Sequence, residues 1–184
     1  MSPVSSSEGG FPPPFVVVVD TSVLIQVKSL VKIDDQWTFL MRMSELVQEG
    51  SLVFPRQVAK ELAYGKFPDA PGAWIGSAKK DVRHPQPSED GLVKVLEIAP
   101  QLVDVEATSE EVADPYVAAM AHEIEARHNG CRVVVATNDV VDRLPAKLSL
   151  RTACERLGLE LCAPDEFVAW VTDGTLPPGT VGPG

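Results

Sequence analysis

Phe15–Asp20 reads FVVVVD, and Arg132–Asp139 reads RVVVATND. Each segment opens with a short run that is apolar on both faces. A strand with no polar face to offer water belongs inside a parallel sheet covered by helices. Both runs stop abruptly at polar residues, the first at Asp20 and the second at Thr137-Asn138-Asp139. Working outward, Gln36–Glu49 reads as a helix with Trp37, Leu40, Met41 and Val47 on one face and Gly50 as its stop. Ser51–Phe54 (SLVF) is a second short strand. Pro55 then opens a helix, PRQVAKELAYG, because proline suits the first helical turn, and Gly65 closes it. The proline-rich stretch Lys66–Pro87 has room for a short helix around Trp74–Val82. Leu92, Val95, Leu96 and Ala99 predict a helix over Glu89–Ile98. Asp114-Pro115 has the form of an N-cap followed by proline, starting a helix that ends at Asn129-Gly130. A strand at Leu159–Cys162 and a helix at Pro164–Val171 finish the pattern. Strands alternating with helices predict an α/β fold, a central parallel sheet flanked by helices on both faces.

The chain has 184 residues and is 45% hydrophobic, enough for one domain with a sizeable core. Residues Met1–Pro14 and Asp173–Gly184 are dominated by Ser, Gly and Pro, so both are predicted to be disordered tails around a domain at 15–172. No stretch approaches the ~18 apolar residues of a membrane span. The first residues lack the basic start and apolar core of a signal peptide. The expectation is a soluble cytoplasmic protein with no membrane partner. Cys131, Cys154 and Cys162 have no CxxC spacing, which argues against a disulfide framework or a zinc site and for packed thiols. The net charge of −10 counts against a broad nucleic-acid-binding surface. It does not exclude a nuclease, because bound cations reverse the field of clustered carboxylates.

Ligands of an open parallel sheet bind beyond the carboxyl ends of its strands. Asp20 lies just past the first strand, and Asp139 lies three residues past the end of RVVVA. Asp114 sits at a helix start, where the helix dipole favours a carboxylate. Glu61 borders the apolar Val58/Leu62 face of its helix and needs a cation or hydrogen-bond partner if it is covered. Singly, each acid has a plainer reading. Asp20 can be a cap or turn residue, Asp114 an N-cap, Glu61 a solvated helix residue and Asp139 a turn residue. Their joint placement at one sheet edge is the signal.

In order along the chain, VVVVDTSVLI (Val16–Ile25), PRQVAKEL (Pro55–Leu62), ADPYVAAMA (Ala113–Ala121) and VVVATND (Val133–Asp139) resemble the acid-bearing motifs of the PIN-domain nucleases. The ending LRTACERLGLELCAPDEFVAWV (Leu150–Val171) resembles the PIN-like proteins catalogued as DUF4411. The chain departs from the family in the longer proline-rich stretch between Glu61 and Asp114, and in its acidity. The resemblance implies a PIN-like fold and a Mg²⁺- or Mn²⁺-dependent endoribonuclease. Such proteins are often the toxin of a bacterial toxin–antitoxin pair (VapC-like), with RNA as substrate, an antitoxin partner and a homodimeric state. Asp20, Glu61, Asp114 and Asp139 would be the catalytic, metal-holding acids. Asp20 and Asp114 are expected as inner ligands, with Glu61 and Asp139 acting directly or through water. Thr21 or Ser22, with Thr137, would hold a ligand water or a phosphate oxygen. Asp142, one turn beyond Asp139, either shares its role or is a surface acid. Hard carboxylate oxygens suit both ions.

Other signals carry less. His122-Glu123 is followed by His128, so the HExxH zinc motif fails. No GxGxxG or Walker motif occurs. Lys79, Lys80, Arg83, Arg127, Arg132, Arg143, Lys147, Arg151 and Arg156 are candidate RNA-backbone contacts, each also readable as a solvated side chain. Trp37 and Trp74 read as core or interface residues rather than base-stacking platforms. Two further classes stay open. One is a catalytically weak PIN-like RNA- or protein-binding module, against which all four acids being present argues. The other is a Mg²⁺-dependent phosphoryl-transfer enzyme such as a phosphatase, which would want an Asp at the position held by Ser22.

Overall fold

A computed structural model describes residues 13–63, 69–104 and 112–179. Among these residues, four parallel strands form the sheet: β1 (Phe15–Val19), β2 (Leu52–Val53), β3 (Arg132–Ala136) and β4 (Glu160–Cys162), in the order β2-β1-β3-β4. β1 and β3 pair along their whole length, from Phe15 opposite Arg132 to Val19 opposite Ala136. Every residue of β1 is buried, as a strand apolar on both faces requires. Among the described residues, eight α-helices cover the sheet on both sides: α1 (Thr21–Leu30), α2 (Gln36–Glu49), α3 (Arg56–Ala63), α4 (Ala70–Ala78), α5 (Glu89–Ile98), α6 (Asp114–Arg127), α7 (Leu150–Arg156) and α8 (Pro164–Asp173). The expected α/β architecture is the one observed. No helix among the described residues is long and apolar enough to cross a membrane.

A chain of aromatic contacts packs at the amino end of β1. Phe15 at the start of β1 meets Trp170 edge-on at 5.6 Å, Trp170 meets Phe167 at 6.0 Å, and Phe167 meets Phe39 at 6.5 Å. Arg132, at the start of β3, stacks over Phe15, pairs with Glu160 and donates to the Pro177 carbonyl at 2.8 Å. The segment after α8 is thereby tied to the sheet as far as Pro177, which is buried. Pro14, in the predicted N-terminal tail, likewise accepts from the Arg132 amide at 2.9 Å, and residues 1–12 and 180–184 lie outside the described residues.

Several local expectations need correction. Helices α1 and α7 form in stretches where no local pattern announces a helix. α4 starts earlier than expected, because Asp69 caps it by accepting from the Gly72 amide at 2.9 Å, and Lys79–Asp81 is a separate 3₁₀ turn. The stop at Gly65 lies outside the described residues. In α2 the buried face is Phe39, Leu40, Met43, Leu46 and Val47. Trp37 and Met41 point outward, 73% and 46% exposed. The helix carries apolar residues around much of its circumference, so periodicity alone leaves its inward direction undetermined, and packing on α8 and β2 decides it. Trp74 is buried, as a core residue should be. Cys154 and Cys162 are buried, and burial pushes both thiols up, which suits inert packed cysteines.

Gly50 ends α2 with φ of 83°, a left-handed conformation that costs any L side chain. A Cβ there would meet Arg83 at an ordinary 3.5 Å, so the penalty is backbone strain alone. Gly50→Ala is expected to cost about 1 kcal/mol, read as a lower urea midpoint at unchanged slope.

Candidate metal centre

The β1–β3 register places Asp20 beside Thr137, and the Asp20 amide extends the ladder by donating to the Ala136 carbonyl at 3.0 Å. Asp20 then turns the chain into α1. Its Oδ1 accepts from the Thr21 amide at 2.8 Å, capping the helix. Its Oδ2 accepts from Ser22 Oγ at 2.6 Å and Thr137 Oγ1 at 3.1 Å. The carboxyl is only 3% exposed. Burial raises its pKa, and the nearby Glu61 charge adds to this against the hydrogen bonds of Ser22, Thr137 and Thr21.

Glu61 reaches the same edge from α3. Its Oε2 accepts from Thr21 Oγ1 at 2.6 Å, and its Oε1 accepts from the Ala113 amide at 2.8 Å. One carboxylate therefore links α3 to the starts of α1 and α6. Asp114 is the first residue of α6, and Ala113 is the N-cap, so the expected capping role falls to the wrong residue by one position. Relieved of capping, Asp114 Oδ2 accepts from Lys147 Nζ at 2.6 Å. Asp114 is 6% exposed, and burial together with the Asp20 charge lifts its pKa to about 7 in spite of Lys147. Asp139 Oδ2 accepts from the Leu150 amide at the start of α7, at 2.9 Å, and lies 3.8 Å from Lys147 Nζ. Its own amide donates to Thr137 Oγ1 at 3.0 Å.

The supporting residues divide. Thr21, Ser22 and Thr137 are woven into the acids, and Ser22 Oγ also accepts from the Asn138 amide at 2.9 Å. Asp142 is exposed and turned to α7, accepting from the Ser149 amide and hydroxyl at 2.9 and 2.7 Å and from Thr152 Oγ1 at 3.0 Å. Those bonds hold its pKa low and fix the loop that follows β3.

All these residues fall within one matched span. A family model described as a domain of unknown function, DUF4411, matches residues 17–170. The chain belongs to the DUF4411 family. No curated protein matches it.

Lys147 is the residue of this DUF4411 domain that the sequence reading misplaced, as one more candidate RNA contact. Its side chain is 14% exposed and lies between Asp114 and Asp139. Burial opposes its charge, but the Asp114 and then the Asp139 carboxylates raise its pKa overall. No motif spacing announces it, because the loop and α6 meet only in the fold. Other candidate contacts lie elsewhere. Arg132 is at the opposite end of β3 from Asp139, and Arg127 is at the far end of the 14-residue α6, roughly 20 Å from Asp114. Arg83 donates to the Gln48 carbonyl. Arg143 and Arg151 share the Asp139–Leu150 loop region with Lys147.

The site thus consists of two linked pairs. Thr21 joins Asp20 to Glu61, and Lys147 joins Asp114 to Asp139. Among the described residues, no three His, Cys, Asp or Glu side chains converge closely enough to hold a metal ion as they stand. The donor chemistry nevertheless suits Mg²⁺ or Mn²⁺, which take one or two direct carboxylates and keep waters for the rest. A cation already sits among these acids, and it is the Lys147 ammonium.

Proposed function

We propose that this chain is a PIN-like, Mg²⁺- or Mn²⁺-dependent endoribonuclease. In the same reading it is cytoplasmic, homodimeric and the toxin of a toxin–antitoxin pair, its antitoxin being the second protein partner. The observation that carries the nuclease reading is that Asp20, Glu61, Asp114 and Asp139, from four separate segments, lie at one sheet edge as two linked pairs, with Asp20 and Asp114 almost fully buried. Burying like charges is costly, and folds retain such clusters where a cation is to be held.

Asp20 and Asp114 would hold the ion, and Glu61 and Asp139 would orient its waters. When bound, the ion would supply an acidified water and a counter-charge for the phosphodiester. Ser22 and Thr137 hold Asp20 in one rotamer by hydrogen bonds from two sides. Thr21 does the same for Glu61. Arg143 and Arg151, exposed on either side of Lys147 in the chain, would steer a phosphate backbone toward an otherwise acidic molecule, Arg151 leaving its partner Glu155 to do so. The test is cleavage of a mixed RNA pool with Mn²⁺ and with excess EDTA, read beside the melting temperature. Cleavage should require the ion, and saturating Mn²⁺ at ~100 Kd should add about 2.7 kcal/mol, or roughly 5–10 °C. Undiminished cleavage in EDTA would refute the reading.

A second reading, a binding module with a weak catalytic site, draws support from Lys147, which neutralises two of the acids without any metal. RNA binding without Mn²⁺-dependent cleavage would favour it.

A further inference from the structure

We infer that Lys147 is a built-in cation that closes the acid site of the apo protein, and that a divalent ion enters by displacing its ammonium group to solvent. The inference rests on the proposed metal site and assigns a means of regulating it. Lys147 Nζ lies 2.6 Å from Asp114 Oδ2 and 3.8 Å from Asp139 Oδ2, within the space an ion shared by those acids would need. An ammonium and a dication repel each other, so both cannot occupy that space. The acids are therefore offered two alternative counter-charges, one tethered and one free.

The loop is built so that only the side chain has to move. Arg143 and Lys147 close it with paired backbone hydrogen bonds, 143 N to 147 O at 2.8 Å and 147 N to 143 O at 3.0 Å. The next residue, Leu148, donates its amide to the Gln101 carbonyl at 2.8 Å and is buried. Asp142 ties the loop to Ser149 and Thr152 at the start of α7. With the backbone held at these points, the flexible four-carbon stem of Lys147 can swing its ammonium out while its Cα stays in place. The outer part of the loop, with Val141 and Leu144 exposed, leaves open solvent beside it. Two cations competing for one set of acids lower each other's apparent affinity, so Lys147 sets the threshold ion concentration for loading the site.

The test is a calorimetric Mn²⁺ titration of the full chain and of four variants, with mass-spectrometric mapping of lysine acetylation. If the lysine-out state is about one-tenth populated, Lys147→Met and Lys147→Gln should each bind Mn²⁺ about tenfold more tightly than the wild type. Lys147→Arg keeps the charge and should show no gain. Arg143→Gln removes an exposed charge from the same loop and should change affinity far less, which separates occupancy of the site from general electrostatics. In the wild type, Mn²⁺ should raise acetylation of Lys147 several-fold. Wild-type binding with unchanged or weaker affinity in both neutral variants, or Lys147 labelling indifferent to Mn²⁺, would overturn the displacement and leave the metal site standing. Mn²⁺ binding by the neutral variants alone would support both. Absence of binding in every protein would overturn the metal site and this inference together.

Discussion

Asp20→Asn is expected to abolish RNA cleavage while leaving the fold at least as stable as the wild type. The two halves of that result have separate causes. The amide oxygen can still accept from the Thr21 amide and keep the cap on α1. The amide nitrogen can donate to Ser22 and Thr137, whose hydroxyls rotate to accept where they now donate. The substitution also removes a charge that burial disfavours, at a position 3% exposed. Metal-free stability should therefore stay level or rise. As a metal ligand, however, a neutral amide is much weaker than a carboxylate. Losing the ion's counter-charge at the phosphodiester removes several kcal/mol of transition-state stabilisation, roughly a thousandfold in rate. Single-turnover cleavage, set beside melting curves with and without Mn²⁺, checks both halves. A folded variant that cuts RNA at the wild-type rate would remove Asp20 from the site.

In EDTA the protein should lose stability as pH rises from 5 to 7. The Asp114 carboxyl is pushed up to about 7 by burial and by Asp20, against an ordinary value of 3.8. Between those two values the folded state binds more protons than the unfolded state, so stability falls with rising pH. Asp20 is raised too and acts in the same sense. At 1.36 kcal/mol per unit, reduced as the group half-ionises near pH 7, the two pH units correspond to about 2 kcal/mol, or roughly 4–8 °C in melting temperature. Lys147 does not enter this window. Its raised pKa contributes stability that is fully present below the ordinary lysine value and is lost only in strong alkali. His84 opposes the trend, because burial depresses its pKa and its neutral form gains stability toward higher pH. Asp114→Asn isolates the effect and should flatten most of the slope. Saturating Mn²⁺ should flatten it as well, by providing a counter-charge to the acids as they ionise toward pH 7. A wild-type pH slope in EDTA identical to that of Asp114→Asn would show that Asp114 is ionised throughout.

The strands, the α/β class and the four acids were legible because each rests on a local, strongly patterned signal. FVVVV and RVVVA can be satisfied only by burial on two faces, and an acid just past such a strand must lie at the carboxyl edge of the sheet. The helix at Glu89–Ile98 and the one at Gln36–Glu49 have the bounds their apolar residues and stops imply. Where local signals conflict, they leave the structure undetermined. α1 carries β-branched residues that favour strands as much as helices, and it holds as a helix through its Asp20 cap and its packing on α3 and α8. The inward face of α2 was ambiguous for lack of a polar side wide enough to define it.

By itself, then, the amino-acid order determined the parallel sheet, most of its covering helices and the set of acids at one edge, since side-chain periodicity and burial act within a few residues of chain. Tertiary structure alone decided which hydroxyl serves which carboxylate, that Asp142 turns to α7, and that Lys147 enters the cluster. Asp114 and Lys147 are 33 residues apart in the chain and meet at 2.6 Å. Contacts across that separation depend on how the loop after β3 is anchored against α6 and α7, and no local pattern encodes such an anchor. The physical consequence is that the counter-charge of the site, unlike the acids themselves, is a property of the folded chain.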